Sequence, residues 1–219
     1  MKKTMSLGAA IAAVLMSGSA LAGASVNAGA TTNYLWRGVT QSADSASVMG
    51  GADYSHDSGL YAGVWLGSLS GGTEMDVYGG FAGEASGFGY DIGLITYQYP
   101  LNPQTNFTEA YVTGTYSIVS VGVYSTIDAG VANEGGQFDK GDLYVSASAD
   151  FPVGPFDTSV YGGIYTFDNS DKNGNPNFDY NHYGISFTSG EVTLAVEKND
   201  ITGDEATQVV ATWSESWDI

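Results

Sequence analysis

The sequence contains no cysteine, which excludes a disulfide framework, a thiolate metal centre and a cysteine nucleophile together. Cations are scarce as well: six Lys plus Arg face 24 Asp plus Glu, a formal net charge of −18, and Arg37 is the single arginine. Such a chain is a poor partner for nucleic acid or for an anionic membrane surface. Small cations, outer-membrane lipid and a calcium-bridged lipopolysaccharide surface are its better electrostatic partners. No apolar run reaches the ~20 residues of a helical membrane span, because Gly, Ser, Asp or Thr interrupts each one after residue 22. The two histidines, His56 and His182, stand in no nucleophile-base-orienter set. There is no H-E-x-x-H motif and no phosphate-binding glycine loop. No catalytic residue and no cofactor are therefore expected, and the chain does not read as an enzyme.

What the 219 residues do hold in quantity is glycine (31) and tyrosine (15), with only 14% charged residues. That composition suits many strands and turns better than a helical globule. The first segment reads separately. Lys2 and Lys3 precede an apolar run over residues 7–16, and Ala20-Leu21-Ala22 follows, the pattern of a signal peptide with an A-x-A cleavage site. We expect residues 1–22 to be a cleaved export signal and residues 23–219 to be one outer-membrane β-barrel. Removal of the signal takes two lysines with it and leaves four cations against the 24 acids. No cysteine follows the cleavage site, so no lipoprotein anchor is expected.

Beyond residue 22 the dominant pattern has period two, in segments about ten residues long, the length of a tilted membrane strand. The first such segment sets Val26, Ala28, Ala30, Thr32, Tyr34 and Trp36 on one face and Asn27, Thr31, Asn33 and Arg37 on the other. The split recurs to the C-terminus, where Val209, Ala211, Trp213 and Trp217 oppose Thr212, Ser214 and Ser216. Counted this way, the alternation predicts an antiparallel transmembrane β-barrel of about 12 strands, an even number, as closed bacterial barrels have.

Two regularities favour a membrane barrel over a soluble one. Short connections (56–59, 83–87, 118–119, 152–156, 189–190) alternate with mostly longer, polar ones (99–106, 128–141, 168–177, 199–205), as periplasmic turns alternate with outer loops. Each descending strand also ends its apolar face on an aromatic residue: Tyr54, Phe81, Tyr116, Phe151, Phe187 and Trp217. Such rings suit the headgroup region. Glu215, sharing a face with Trp213 and Trp217, is the misfit.

The segment NYLWRGVTQS (33–42), with MGGADY (49–54) and GLYAGVW (59–65) behind it, resembles the N-terminal pattern of the TorF-type porin family of proteobacteria, a family of unknown function. The resemblance implies an outer-membrane barrel with a porin role and brings no substrate or catalytic residues with it. The C-terminus departs from the usual barrel signal by ending on Asp218-Ile219 instead of Phe or Trp.

If the polar faces line a lumen, Asp53, Glu74, Asp76, Asp91, Glu109, Asp150 and Glu197 join Arg37 as pore-lining candidates. Rings of acids attract cations and repel anions, so a narrow, cation-preferring channel for small solutes is expected. A barrel of this size is narrow enough for Tyr61, Trp65, Tyr78, Tyr111, Tyr144 and Tyr161 to fill it. The alternative is then a non-conducting structural or surface-binding barrel. A lone arginine among acids reads as an internal ion-pair anchor before it reads as a ligand-binding residue, and Tyr34 and Trp36 read as interfacial anchors of the first strand. In the loop DNSDKNGNPNFDY, Asn169, Asp171 and Asn173 with Gly174 have the opening spacing of a calcium loop. The closing carboxylate position falls on Tyr180, so the motif is incomplete.

Overall fold

The computed structural model describes residues 23–130, 138–170 and 177–219; the expected signal segment 1–22 lies outside them, as do 131–137 and 171–176 of two expected outer loops. The elements are β1 (Gly23–Thr31), β2 (Leu35–Trp36), β3 (Val39–Thr40), β4 (Ser47–Ser55), β5 (Leu60–Leu69), β6 (Gly72–Ala85) and β7 (Phe88–Gln98). After a single 3-10 turn (Pro103–Thr105) come β8 (Phe107–Tyr116), β9 (Val119–Ala129), β10 (Leu143–Val153), β11 (Phe156–Thr166), β12 (Tyr180–Ser189), β13 (Val192–Asn199) and β14 (Gln208–Asp218).

Twelve of these strands form one closed antiparallel barrel in which β4 to β14 each pair with the next in sequence. Closure comes from β1, which pairs with β14 on one side (Val26 opposite Trp217) and with β4 on the other (Val26 opposite Ala52). A closed sheet leaves no edge, so every strand finds its backbone partners without water, the condition for spanning lipid. The barrel is turned inside out relative to a soluble one. Leu60, Leu66, Ile92, Leu94, Ile164 and Leu194 point outward and are 46–57% exposed, while acids and hydroxyls are buried within. The expected aromatic ends Tyr54, Phe81, Tyr116, Phe151 and Trp217 are on the exposed face as well.

One end of the barrel carries only tight turns, such as Ser86-Gly87 between β6 and β7, where both residues have positive φ (54° and 80°) as the tightest hairpins demand. The other end carries the longer connections and the inserted segment.

That segment is the main correction to the sequence reading. β1 stops at Thr31, and Tyr34 and Trp36 do not continue it as lipid-facing anchors. Asn33 turns the chain: its side-chain oxygen accepts from Thr40 Oγ1 (2.7 Å) and Ser42 Oγ (3.0 Å), and its amide donates to Asp44 (2.9 Å). The two-residue turn Arg37-Gly38, with φ of 50° and 83°, then folds β2 back on β3. This small hairpin enters the lumen, leaving Tyr34 and Trp36 4% and 7% exposed.

Candidate functional site

The hairpin packs into a lumen already lined with rings. Trp36 meets Tyr97, Phe107, Phe138 and Tyr165 at centroid distances of 5.7–6.0 Å, mostly edge to face. Tyr97 stacks on Phe107 (4.4 Å) and Tyr165 on Phe167 (4.1 Å). Tyr97 and Tyr165 are wholly buried and Phe107 nearly so, so solvent does not reach these rings. Edge-to-face and offset pairs of this kind add to the burial of the rings themselves.

Arg37, at the hairpin tip, reaches across to β8. Its two terminal nitrogens donate to the two oxygens of Glu109 at 2.8 and 2.6 Å, a forked ion pair with both side chains buried. The guanidinium also lies 4.3 Å from the Trp36 ring centre and 4.1 Å from that of Tyr144, within cation-π range. Tyr97 donates a third bond to Glu109 (3.2 Å). Beside it, His182 is sandwiched between acceptor and donor partners: Nδ1 lies 2.8 Å from Glu197 Oε1 and Nε2 lies 2.7 Å from the Tyr144 hydroxyl. The Asn199 amide donates to the Gly38 carbonyl (2.8 Å), fixing the turn from the opposite wall.

The other acids singled out from the sequence also face inward and are spread around the wall. Glu74 accepts from the hydroxyls of Tyr34 (3.0 Å) and Tyr99 (3.1 Å). Burial beside Glu74 and Asp76 raises Tyr99, just beyond β7, well above the usual phenol range. Asp53 accepts from Asn27 (3.1 Å) and from the Tyr78 hydroxyl. Asp91 accepts from Tyr61 (2.7 Å), Asp150 from Ser148 (3.2 Å) and Glu197 from Tyr161 (3.0 Å). Asp76 is different: it is fully buried and neither of its oxygens has a hydrogen-bond partner among the described residues.

Below the aromatic core, large inward tyrosines alternate with inward glycines on the neighbouring strand. A Cβ on Gly163 would sit 2.5 Å from the Tyr144 ring, one on Gly80 2.5 Å from the Tyr61 hydroxyl, and one on Gly184 2.6 Å from the Tyr161 ring. Each glycine is the gap in which a ring lies flat on the sheet, so the lumen is narrowed without splaying the strands.

The calcium reading gains no support. Asp171 and Asn173 lie outside the described residues, and Asn169 donates to Asp139. Among the described residues no three acidic or histidine side chains converge as a metal site. His56 sits in the β4–β5 turn against Ser58 Oγ (2.9 Å). Period-two reasoning missed Tyr34, Trp36, Gly38 and Asn199 as lumen residues; the Arg37-Gly38 turn dipeptide was the signal available for the first three.

A family model described as a bacterial protein of unknown function (Gcw_chp) matches residues 17–216. The chain belongs to this family. Among solved structures, the KdgM porin is similar at 8% identity and TM-score 0.53, covering 89% of this chain and 99% of that one. The NanC porin follows at 10% identity and TM-score 0.50, covering 90% and 99%. A protein from a study of the in-meso crystallization of membrane proteins reaches TM-score 0.62 at 8% identity, covering 90% and 84%. These likenesses show the fold, a porin-like barrel of twelve strands. No curated protein matches the chain.

Proposed function

We propose that this Gcw_chp-family barrel is a narrow outer-membrane channel for small cations, closed in the described state by the β2–β3 hairpin. The observation that carries the reading is the charge of the inward surface. Seven acidic side chains lie on the inward face of the wall against one guanidinium, and that guanidinium is paired with Glu109. A small cation entering such a passage is attracted at each level, whereas an anion meets only repulsion. The outward apolar faces supply the membrane belt, and the TorF-type resemblance and the porin-like fold are in keeping with an outer-membrane location. No catalytic role is proposed.

A second reading has an observation of its own. Rings that are wholly buried at the level of Trp36 leave no passage for a hydrated ion while the hairpin is seated. If the hairpin never leaves, the barrel is structural, and its outer loops are the surface it offers to lipopolysaccharide or a partner. Planar-bilayer recordings of the refolded protein under a KCl gradient separate the two. The channel reading requires discrete conductance steps and a cation-selective reversal potential; anion selectivity sinks it, and silence at all voltages favours the structural barrel.

A further inference from the structure

Asp76 stands apart from the other acids of the wall. Glu109 is bound by Arg37 and Tyr97, Glu197 by His182 and Tyr161, and Glu74 by Tyr34 and Tyr99. Asp76 has 0% exposure and two unpartnered oxygens. The strand register sets Trp65 directly opposite it on β5 and Tyr97 directly opposite on β7, so its flanks are rings that offer a carboxylate little to replace water. Glu74 lies two residues away on the same inward face. The single guanidinium of the lumen is already committed to Glu109. Two neighbouring buried acids therefore share this corner with hydroxyls and, among the described residues, with no counter-charge, an arrangement strongly disfavoured unless a cation or a proton neutralises it.

We propose that Glu74 and Asp76 form a binding site for one small monovalent cation of the alkali-metal class. Asp76 supplies both oxygens. Glu74, oriented by Tyr34 and Tyr99, supplies the second charge. A divalent ion fits less well, because calcium takes six to eight oxygens and no three acidic groups converge here among the described residues. The surrounding rings of Trp65 and Tyr97 suit a weakly hydrated cation. A hollow of about 320 Å³ at the rim, lined in part by Thr40, Gln41, Thr73, Tyr99 and Asn102, lies on the outer side of Glu74. Tyr99 borders that hollow and touches Glu74 with its hydroxyl. As a stopping point in transport the site rests on the cation-channel reading, but binding at equilibrium does not require conduction.

The test uses the refolded full barrel in detergent micelles, equilibrated with radioactive rubidium chloride at constant ionic strength made up with N-methylglucamine chloride. Saturable retention is expected, falling at least about tenfold in Asp76→Asn and unchanged in Glu84→Gln, an exposed acid outside the site. Equal retention by the wild type and Asp76→Asn overturns the site. Should Asp76→Asn not fold, infrared difference spectra of the wild type between rubidium and N-methylglucamine decide instead. A shift of a carboxylate band supports bound cation; an ion-independent protonated-carboxyl band with no carboxylate shift overturns it, because the corner is then neutralised by a proton. A silent bilayer with intact rubidium retention would remove the channel reading and leave the site standing.

Discussion

Arg37 and Glu109, 72 residues apart in sequence, close a forked ion pair across the lumen at 2.8 and 2.6 Å. The pair joins a turn inserted from the loop end to the barrel wall, so its strength is the strength with which the plug is held. Both groups are out of water, and removing one partner leaves the other charge stranded. Arg37→Met and Glu109→Gln should each lower unfolding stability by about 3–5 kcal/mol in urea titrations of the lipid-embedded protein. The double variant Arg37→Met/Glu109→Gln should lose clearly less than the sum, since it strands neither charge. Additive losses would mean that the two residues do not depend on each other.

The turn itself gives a sharper probe. Gly38 has φ of 83°, and a Cβ there would fall 2.5 Å from His182 Cβ. His182 is held between Glu197 and Tyr144 and cannot step aside cheaply. Gly38→Ala is therefore expected to unseat the tip of the hairpin while leaving the sheet intact. Heat-modifiable gel mobility should stay at the wild-type value as hydrogen exchange at Gln41, whose amide donates to Tyr34 O at 2.7 Å, speeds up at least about tenfold.

How much of this was readable in the residues follows from what lipid and lumen each demand. Lipid requires an apolar residue at every second position, and that demand alone locates the twelve barrel strands and the inward parity of Asp53, Glu74, Asp76 and the other acids. The same parity runs on through Thr32, Tyr34 and Trp36, where it has a different cause. Aromatic residues suit a membrane interface and a packed lumen equally well, so alternation cannot tell an extended strand from a hairpin folded inward. Only Arg37-Gly38 marks the reversal. Arg37 is readable as an ion-pair anchor from its isolation among acids, but its choice of Glu109 depends on how far the hairpin reaches. Asp76 has the same pattern around it as its neighbours, and its lack of partners emerges only from the packed rings.

The tyrosine-glycine contacts predict a defect of a different kind. Tyr144 lies over Gly163 while also bonding His182, so a side chain at 163 must push the ring into the hairpin's seat. Gly163→Val is expected to destabilise the barrel by about 2 kcal/mol or more through overpacking, read from urea unfolding. Tyr144→Ala is costly in its own right, since it removes a buried ring that meets Arg37 and His182. In that background, however, Gly163→Val should cost clearly less than it does in the wild type. An equal cost in both backgrounds would mean that the glycine is needed for its backbone and not for the space above it.

The outer loops carry a pH dependence with a definite sign. Asp142, just before β10, accepts backbone N–H bonds from Asp139 (2.8 Å) and Asp168 (2.7 Å), tying two connections together. Burial pushes its carboxyl up to about 6, outweighing those two bonds. A carboxyl raised in the folded state favours its protonated form there. Its contribution is thus fully present below the unfolded value near 4 and is lost as pH rises through about 6. Hydrogen exchange at the Asp139 and Asp168 amides, corrected for its intrinsic pH dependence, should slow as pH falls from about 7 to about 5. Asp142→Asn, neutral at every pH, should flatten that change.

The strongest consequence concerns the plug as a whole. Replacing residues 34–41 by a short Gly-Ser connection removes Tyr34, Trp36 and Arg37 but none of the strands that close the barrel. It strands Glu109 and exposes the inner faces of Tyr97, Phe107 and Tyr165, so stability must fall. The sheet hydrogen bonds remain, however, and the outward apolar faces are untouched, so a heat-modifiable barrel should persist. If the hairpin is the closure, this variant should pass small cations where the wild type is mostly shut, with conductance rising at least about tenfold and the reversal potential becoming more cation-selective as Glu109 loses its guanidinium. A folded but silent variant would show that the tyrosine layer below, with Tyr61 and Tyr111 in hydroxyl contact, seals the lumen by itself.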